Sequence, residues 1–213
     1  MTEVSADQLG GMIAAISAAI HEATDELNRL DSALGDGDHG TSLSAAFADA
    51  VSKIAALQQP TPAQILQTVA QSLMNRMGGA SGALYGTLFL RAGNAVKDKP
   101  ALSHDDLKAL WQAALEGVMQ RGKAQPGDKT MIDALQPAAQ AFAEAATLRD
   151  SFERAAAAAD KGALGTAAMV ARQGRAKFAG ERAVGHVDAG ARSIAVMCAA
   201  MNAYWKDSQH DQA

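Results

Sequence analysis

Residues 13–34 read IAAISAAIHEATDELNRLDSAL, and their apolar positions decide the architecture. Ile13, Ile16, Ile20, Ala23, Leu27, Leu30 and Leu34 recur at steps of three and four. An α-helix turns once in about 3.6 residues, so this spacing predicts one stripe of an amphipathic helix. Gly35 supplies its stop.

The same period returns downstream. Leu43, Phe47, Ala50, Ile54 and Leu57 form a second stripe that ends at Pro60. Thr61-Pro62-Ala63-Gln64 combines an N-cap, a proline at the first helical position and a capping-box glutamine. Ile65, Val69, Leu73 and Met77 carry that helix to Gly78-Gly79. Leu84, Leu88 and Ala95 mark a helix near 80–98. Ser103 with Asp105 and Asp106 starts another, through Leu107, Leu110, Ala114 and Val118. Met131, Leu135, Ala138 and Phe142 come next, with Pro137 predicting a kink or local break. An Ala-rich helical stretch over 148–174 is interrupted at Gly162 and Gly165, and Ile194, Met197, Met201 and Trp205 mark the last helix. About eight helices joined mostly by short loops imply antiparallel neighbours in a single domain over 1–213.

Composition points the same way. Of 213 residues, 48% are hydrophobic and 20% charged, a globular balance. There are 50 Ala against 9 Val and 7 Ile, and aromatics make up 4%. Alanine is the best helix former, and a sheet would lack its β-branched and aromatic material, so the class is all-α. A net charge of −4 gives no overall basic field, and neither nucleic acid nor a membrane is expected as partner. Cys198 stands alone and cannot form an intramolecular disulfide. Glu3 and Asp7 lie where a secretory leader would be basic, and no eighteen-residue apolar run occurs. A soluble, cytoplasmic protein is expected.

Four loops depart from ordinary polar connectors. The first, Leu30 to Gly40, places Asp31, Asp36 and Asp38 within eight residues. Two like charges 4 Å apart repel by roughly 4 kcal/mol at an effective dielectric near 20, so converging carboxylates call for a cation. Oxygen donors suit Mg²⁺ or Ca²⁺ better than Zn²⁺, although a solvated acidic turn with splayed aspartates has the same spacing. Gly35-Asp36-Gly37-Asp38-His39-Gly40 fits G-x-G-x-x-G, but a helix precedes it and its aspartates would repel a pyrophosphate. An EF-hand beginning at Asp36 fails because Phe47 occupies the position of the closing glutamate.

The second loop, Met77 to Gly82, opens a helix with glycines, as an anion site or a tight helix-packing turn would. The third, Arg121 to Met131, taken alone reads as an exposed charged turn. The fourth, Gly174 to Ala191, sets Arg175, Lys177 and Arg182 near Asp188, a candidate cap for the last helix or a cation contact. Together an acidic loop, a Gly-rich turn and a basic stretch are the parts that hold a metal–nucleotide.

Leu-Asp-x-x-x-Gly-Asp-x-Asp-His-Gly (30–40), Gly-Gly-Ala-Ser-Gly (78–82), Arg-Gly-Lys-Ala-x-Pro-Gly-Asp-Lys-Thr-Met (121–131) and Gly-Glu-Arg-x-x-Gly-His-x-Asp-x-Gly-Ala (180–191) resemble, in order, the nucleotide-binding L subunit of dihydroxyacetone kinase. The resemblance covers nearly the whole chain. It implies an antiparallel eight-helix barrel with ADP or ATP bound in the loops at one end. It further implies that Asp31, Asp36 and Asp38 bind two Mg²⁺ ions, with His39, Gly40, Thr41 and Ser42 beside them. Ala80 and Ser81 would contact phosphate, and Gly122 and Met131 would line the adenine pocket. Arg175 and the turn Asp188, Ala189, Gly190 would complete the site; the family has Asp-Pro-Gly there, and loss of the proline should loosen the turn.

The resemblance implies no nucleophile in this chain. Dihydroxyacetone would be held on a separate K subunit. A phosphotransferase-system M subunit would rephosphorylate a retained ADP, a mode that the length of the chain favours. Alternatives left open are an ATP-dependent kinase component for another short keto-sugar such as erythrulose, and a nucleotide-state sensor that binds a transcriptional regulator. Assembly as a homodimer or heteromer is expected.

Overall fold

A computed structural model of the protein describes residues 3–210, with the side chains of Arg175, Gln209 and His210 outside that description. Two short strands, β1 (Glu3–Ser5) and β2 (Ala101–Ser103), accompany nine α-helices among the described residues. These are α1 (Ala6–Glu22), α2 (Thr24–Ser32), α3 (His39–Ala55), α4 (Pro62–Arg76), α5 (Gly79–Ala95), α6 (His104–Gly122), α7 (Ile132–Glu144), α8 (Leu148–Gly165) and α9 (Ala189–His210). Between α8 and α9 the chain makes two 3-10 segments, Thr166–Ala168 and Arg175–Ala183.

Neighbour packing closes a ring. Helix α3 packs on α4, α4 on α5, and so on through α9, which packs on α1, and α1 packs back on α3. That circuit is an all-α, eight-helix barrel, with α2 a short extra helix lying on α3 and α9. Its interior is one apolar cluster reaching from Val4 to Trp205, and it includes Ile16, Ile20, Phe47, Leu73, Phe142 and Ile194. Cys198 is part of that interior, and burial pushes its thiol up to about 12, which leaves it no nucleophilic role. No helix of the described residues is long and apolar enough to cross a membrane.

Local chemistry explains most element starts. Ser5, Thr61 and Ser103 each close a capping box, with Gln8, Gln64 and Asp106. Strands β1 and β2 pair antiparallel directly ahead of two of those caps, and bury Val4 against Leu102. Composition gave no hint of this six-residue sheet.

Three expectations change. The stripe over 13–34 is two helices: Ala23 sits at φ −85°, ψ 3°, and the Thr24 hydroxyl donates to the Ile20 carbonyl at 3.1 Å. A hydroxyl that competes for a helical carbonyl is a known source of such a break. Pro137 does not interrupt α7. The carbonyl four residues before it, on Asp133, lies where a Cβ on Gly162 would be, so Gly162 lets α8 meet the α7 backbone and α8 runs through it. The Ala-rich helix ends at Gly165, and the chain from Thr166 to Asp188 is mostly 3-10 turns and irregular backbone.

Candidate functional site

Helix α2 is anchored from both sides, and this fixes the acidic loop after it. Asn28 donates to the Thr41 hydroxyl at 2.8 Å and accepts the Thr41 N–H at 3.0 Å. Arg192 of α9 pairs with Glu26 at 2.8 Å and with Asp160 of α8 at 3.0 Å. A Cβ on Gly40 would strike the Thr24 carbonyl, so only glycine lets α3 start this close to α2. The loop then folds over its own first carboxylate. Asp31 Oδ2 accepts the N–H groups of Gly37 at 2.8 Å and Asp38 at 3.1 Å.

As a result Asp31, Asp36 and Asp38 each offer a carboxylate oxygen, and these oxygens lie within 4.8 Å of one another. Three hard, anionic donors at that spacing fit a magnesium site. The donor set therefore suits the cation that the resemblance implies, and the splayed-turn alternative does not describe the loop. Ser42 donates to Asp38 Oδ2 at 3.4 Å.

The carboxylates line a cavity of about 730 Å³, the size range of small-molecule sites. Its second wall is the opening of α5. Gly78 is the N-cap with no side-chain cap, and Ala80 and Ser81 lie in the first turn, where N–H groups lack helical partners and attract anions. Another part of the lining is mainly apolar, formed by Leu84, Val118, Gly122, Ala124, Met131 and Ile132. Asp188, Ala189 and Gly190 at the head of α9 close the remaining side, together with Gln173, Gly174 and Ala176.

The loop at 121–131 is exposed at Lys123 and from Gln125 to Gly127, but it buries Asp128 and Lys129. Lys129 is 1% exposed and its Nζ donates to the carbonyls of Thr166 and His186, each at 2.5 Å. Asp133 accepts the N–H groups of Gly127 and Thr130, and Asp128 accepts that of Gln125. Burial lowers the Lys129 pKa, with Asp188 and Asp133 opposing the shift. Asp188 caps α9 by accepting the Ala191 N–H at 2.8 Å, and burial nonetheless raises its pKa to about 6. Burial also lowers the pKa of His39, against the raising influence of Asp31 and Asp38.

Of the residues expected from sequence, Asp31, Asp36, Asp38, His39, Ser42, Ala80, Ser81, Gly122, Met131, Asp188, Ala189 and Gly190 all line this one cavity. Gly40 and Thr41 do not; they lock α2 to α3 behind it. Arg175 heads a 3-10 segment between two lining residues, and its side chain lies outside the described ones. Sequence reasoning missed Lys129 as a buried lining residue, as well as Tyr85. A lysine flanked by aspartates at 128 and 133 was the available signal for the first. Tyr85 had none beyond its place in the second turn of α5.

Comparison with known proteins bears on the family and the fold. Residues 33–203 match the DAK2 domain. The chain is 37% identical over 175 residues to the PEP-dependent dihydroxyacetone kinase, ADP-binding subunit DhaL, of Escherichia coli K12, covering 80% of this chain and 83% of that one. It is 36% identical over 200 residues to the corresponding subunit of the PEP-dependent dihydroxyacetone kinase 2 of Listeria innocua, covering 91% and 93%. Among solved structures, the dihydroxyacetone kinase of C. freundii in complex with AMP-PNP and Mg²⁺ superposes with a TM-score of 0.74 at 27% identity. That match covers 95% of this chain and 35% of the longer kinase. With this barrel, an acidic loop at its cavity and these relatives, the chain belongs to the DAK2 domain family, among the DhaL-type subunits of dihydroxyacetone kinases.

Proposed function

We propose that this chain is the nucleotide-bearing subunit of a dihydroxyacetone kinase, active only with partner subunits. The observation that carries the reading is the meeting of Asp31, Asp36 and Asp38 with the α5 N-terminus in one cavity. In this reading the three carboxylates hold two Mg²⁺ ions, which when bound neutralise charge on the nucleotide phosphates and on the phosphoryl group in transfer. The first turn of α5, at Ala80 and Ser81, holds phosphate oxygens. Gly122 and Met131 receive the adenine among apolar neighbours, and the Asp188–Ala189–Gly190 turn with Arg175 closes the site.

No side chain here has to form a covalent intermediate. The chain orients the donor and screens its charge, the two contributions on which phosphoryl transfer depends. The acceptor, dihydroxyacetone, sits on a separate K subunit. The names of the relatives, PEP-dependent and ADP-binding, support ADP held as a coenzyme and recharged by a phosphotransferase-system M subunit. A cytoplasmic complex is part of this proposal.

Reconstitution tests it. The chain loaded with ADP, mixed with a K subunit, dihydroxyacetone and a phosphorylated M subunit, should yield dihydroxyacetone phosphate without added ATP. Turnover with ATP but not with phosphorylated M would replace the recharging step by nucleotide exchange. Turnover with neither would overturn the proposal.

A further inference from the structure

At the cavity wall, three helices share a pair of hydroxyls. Tyr85 of α5 is 2% exposed, and its hydroxyl lies 2.5 Å from Ser193 Oγ and 3.2 Å from the Gly190 carbonyl. Ser193 of α9 is fully buried and donates to that same carbonyl at 2.9 Å. His39, at the start of α3, brings Nε2 to 3.1 Å from Ser193 Oγ. The serine has one proton, given to Gly190. Its oxygen also meets the Tyr85 hydroxyl and His39 Nε2, so three side chains and one carbonyl share these protons.

Packing does not explain the tyrosine. A phenylalanine would fill the same volume and keep the 5.8 Å ring contact with His39, without burying a hydroxyl that must find partners. What the hydroxyl adds is a tie from α5 to the head of α9, through Ser193 and the Gly190 carbonyl, and Ser193 carries it on to His39. Gly190 ends the turn that lines one side, and His39 directly follows Asp38 on the other.

We propose that Tyr85 and Ser193 are positioning residues for bound nucleotide: their hydroxyls fix the Asp188–Gly190 turn to α5, through Tyr85, and to the acidic loop, through His39, and so slow nucleotide release. The inference rests on the nucleotide reading of the cavity. Ala189 is the first residue of α9, a position that accepts proline because its N–H has no helical partner and its φ is already suitable. Proline at 189 restrains the same turn covalently. It therefore substitutes for the tie.

The test is the release rate of a fluorescent ADP analogue from the full chain in Mg²⁺, measured by displacement with excess ADP, beside melting of the ligand-free protein. Tyr85→Phe and Ser193→Ala should each speed release by roughly three- to tenfold, the span of one net hydrogen bond. The double variant should release more slowly than the product of the single effects predicts, because the two hydroxyls share one carbonyl and each other. Tyr85→Phe/Ala189→Pro should return towards the wild-type rate. Unchanged release in Tyr85→Phe, additive effects in the double variant, or rates that follow melting temperature with no proline rescue would each overturn the inference. Failure of the wild type to bind the analogue in Mg²⁺ would instead remove the nucleotide reading on which it stands.

Discussion

At the scale of single residues the site is a set of charges arranged against their own preference. Asp31, Asp36 and Asp38 share a space in which their oxygens lie within 4.8 Å. Two described cations line the same cavity: Lys129, whose Nζ is committed to two carbonyls, and Arg121, in the last turn of α6. Asp38→Ala should lower Mg²⁺-dependent nucleotide affinity by at least about a hundredfold, since losing even a group behind a metal ligand typically costs 10- to 100-fold. Helical circular dichroism should be unchanged, and the ligand-free variant should melt no lower than wild type because a repulsion is relieved. Asp188 gives a pH signature. Its carboxyl titrates near 6 in the fold against an ordinary 3.8, so the folded state binds the extra proton between those values. Stability of the ligand-free protein should fall as pH rises through that window, by on the order of 2–3 kcal/mol. Asp188→Asn keeps an N-capping side chain and should flatten that slope in urea titrations at about pH 4 and about pH 6.5.

Elements are held by backbone contacts as well as by apolar stripes. Glycine to alanine inside a helix ordinarily stabilises by about 1 kcal/mol. Gly10 in α1 has open space around it and should follow that rule in a thermal melt. Gly162 in α8 should reverse it: a Cβ there meets the Asp133 carbonyl, a backbone atom that cannot swing aside, and a loss of about 1–3 kcal/mol is expected. The capping box at Thr61 and the helix start at Ser103 were legible in the sequence because each is completed within four residues, although the box that Asp106 closes on Ser103 appears only in the structure. The break at Ala23 was not, because the apolar stripe continues in phase across it and only the Thr24 hydroxyl marks the interruption. Pro137 suggested a kink or break because its cost is local, yet α7 runs through it, and the Asp133 carbonyl four residues earlier faces Gly162, twenty-five positions beyond the proline.

For the whole molecule, loop motifs gave most of the cavity lining, and the ring of helices explains how. Residues at 31–42, 78–84, 122–131 and 188–190 are remote in the chain and adjacent at one end of the barrel. Motifs named these segments, but not the contacts that tie them together: Lys129 joins the loop before α7 to Thr166 and His186, and Tyr85 reaches Ser193 across 108 positions. Long-range pairs of this kind leave no periodic trace, and only the closure of α9 on α1 and α8 brings them into register. The central claim is that this cavity holds a nucleotide through magnesium. Calorimetric titration of ADP into the nucleotide-free chain, with Mg²⁺ and then with excess chelator, tests it most directly. Saturable one-to-one binding that disappears with the chelator is the predicted result, and no heat of binding in Mg²⁺, or equal binding without it, would contradict the account.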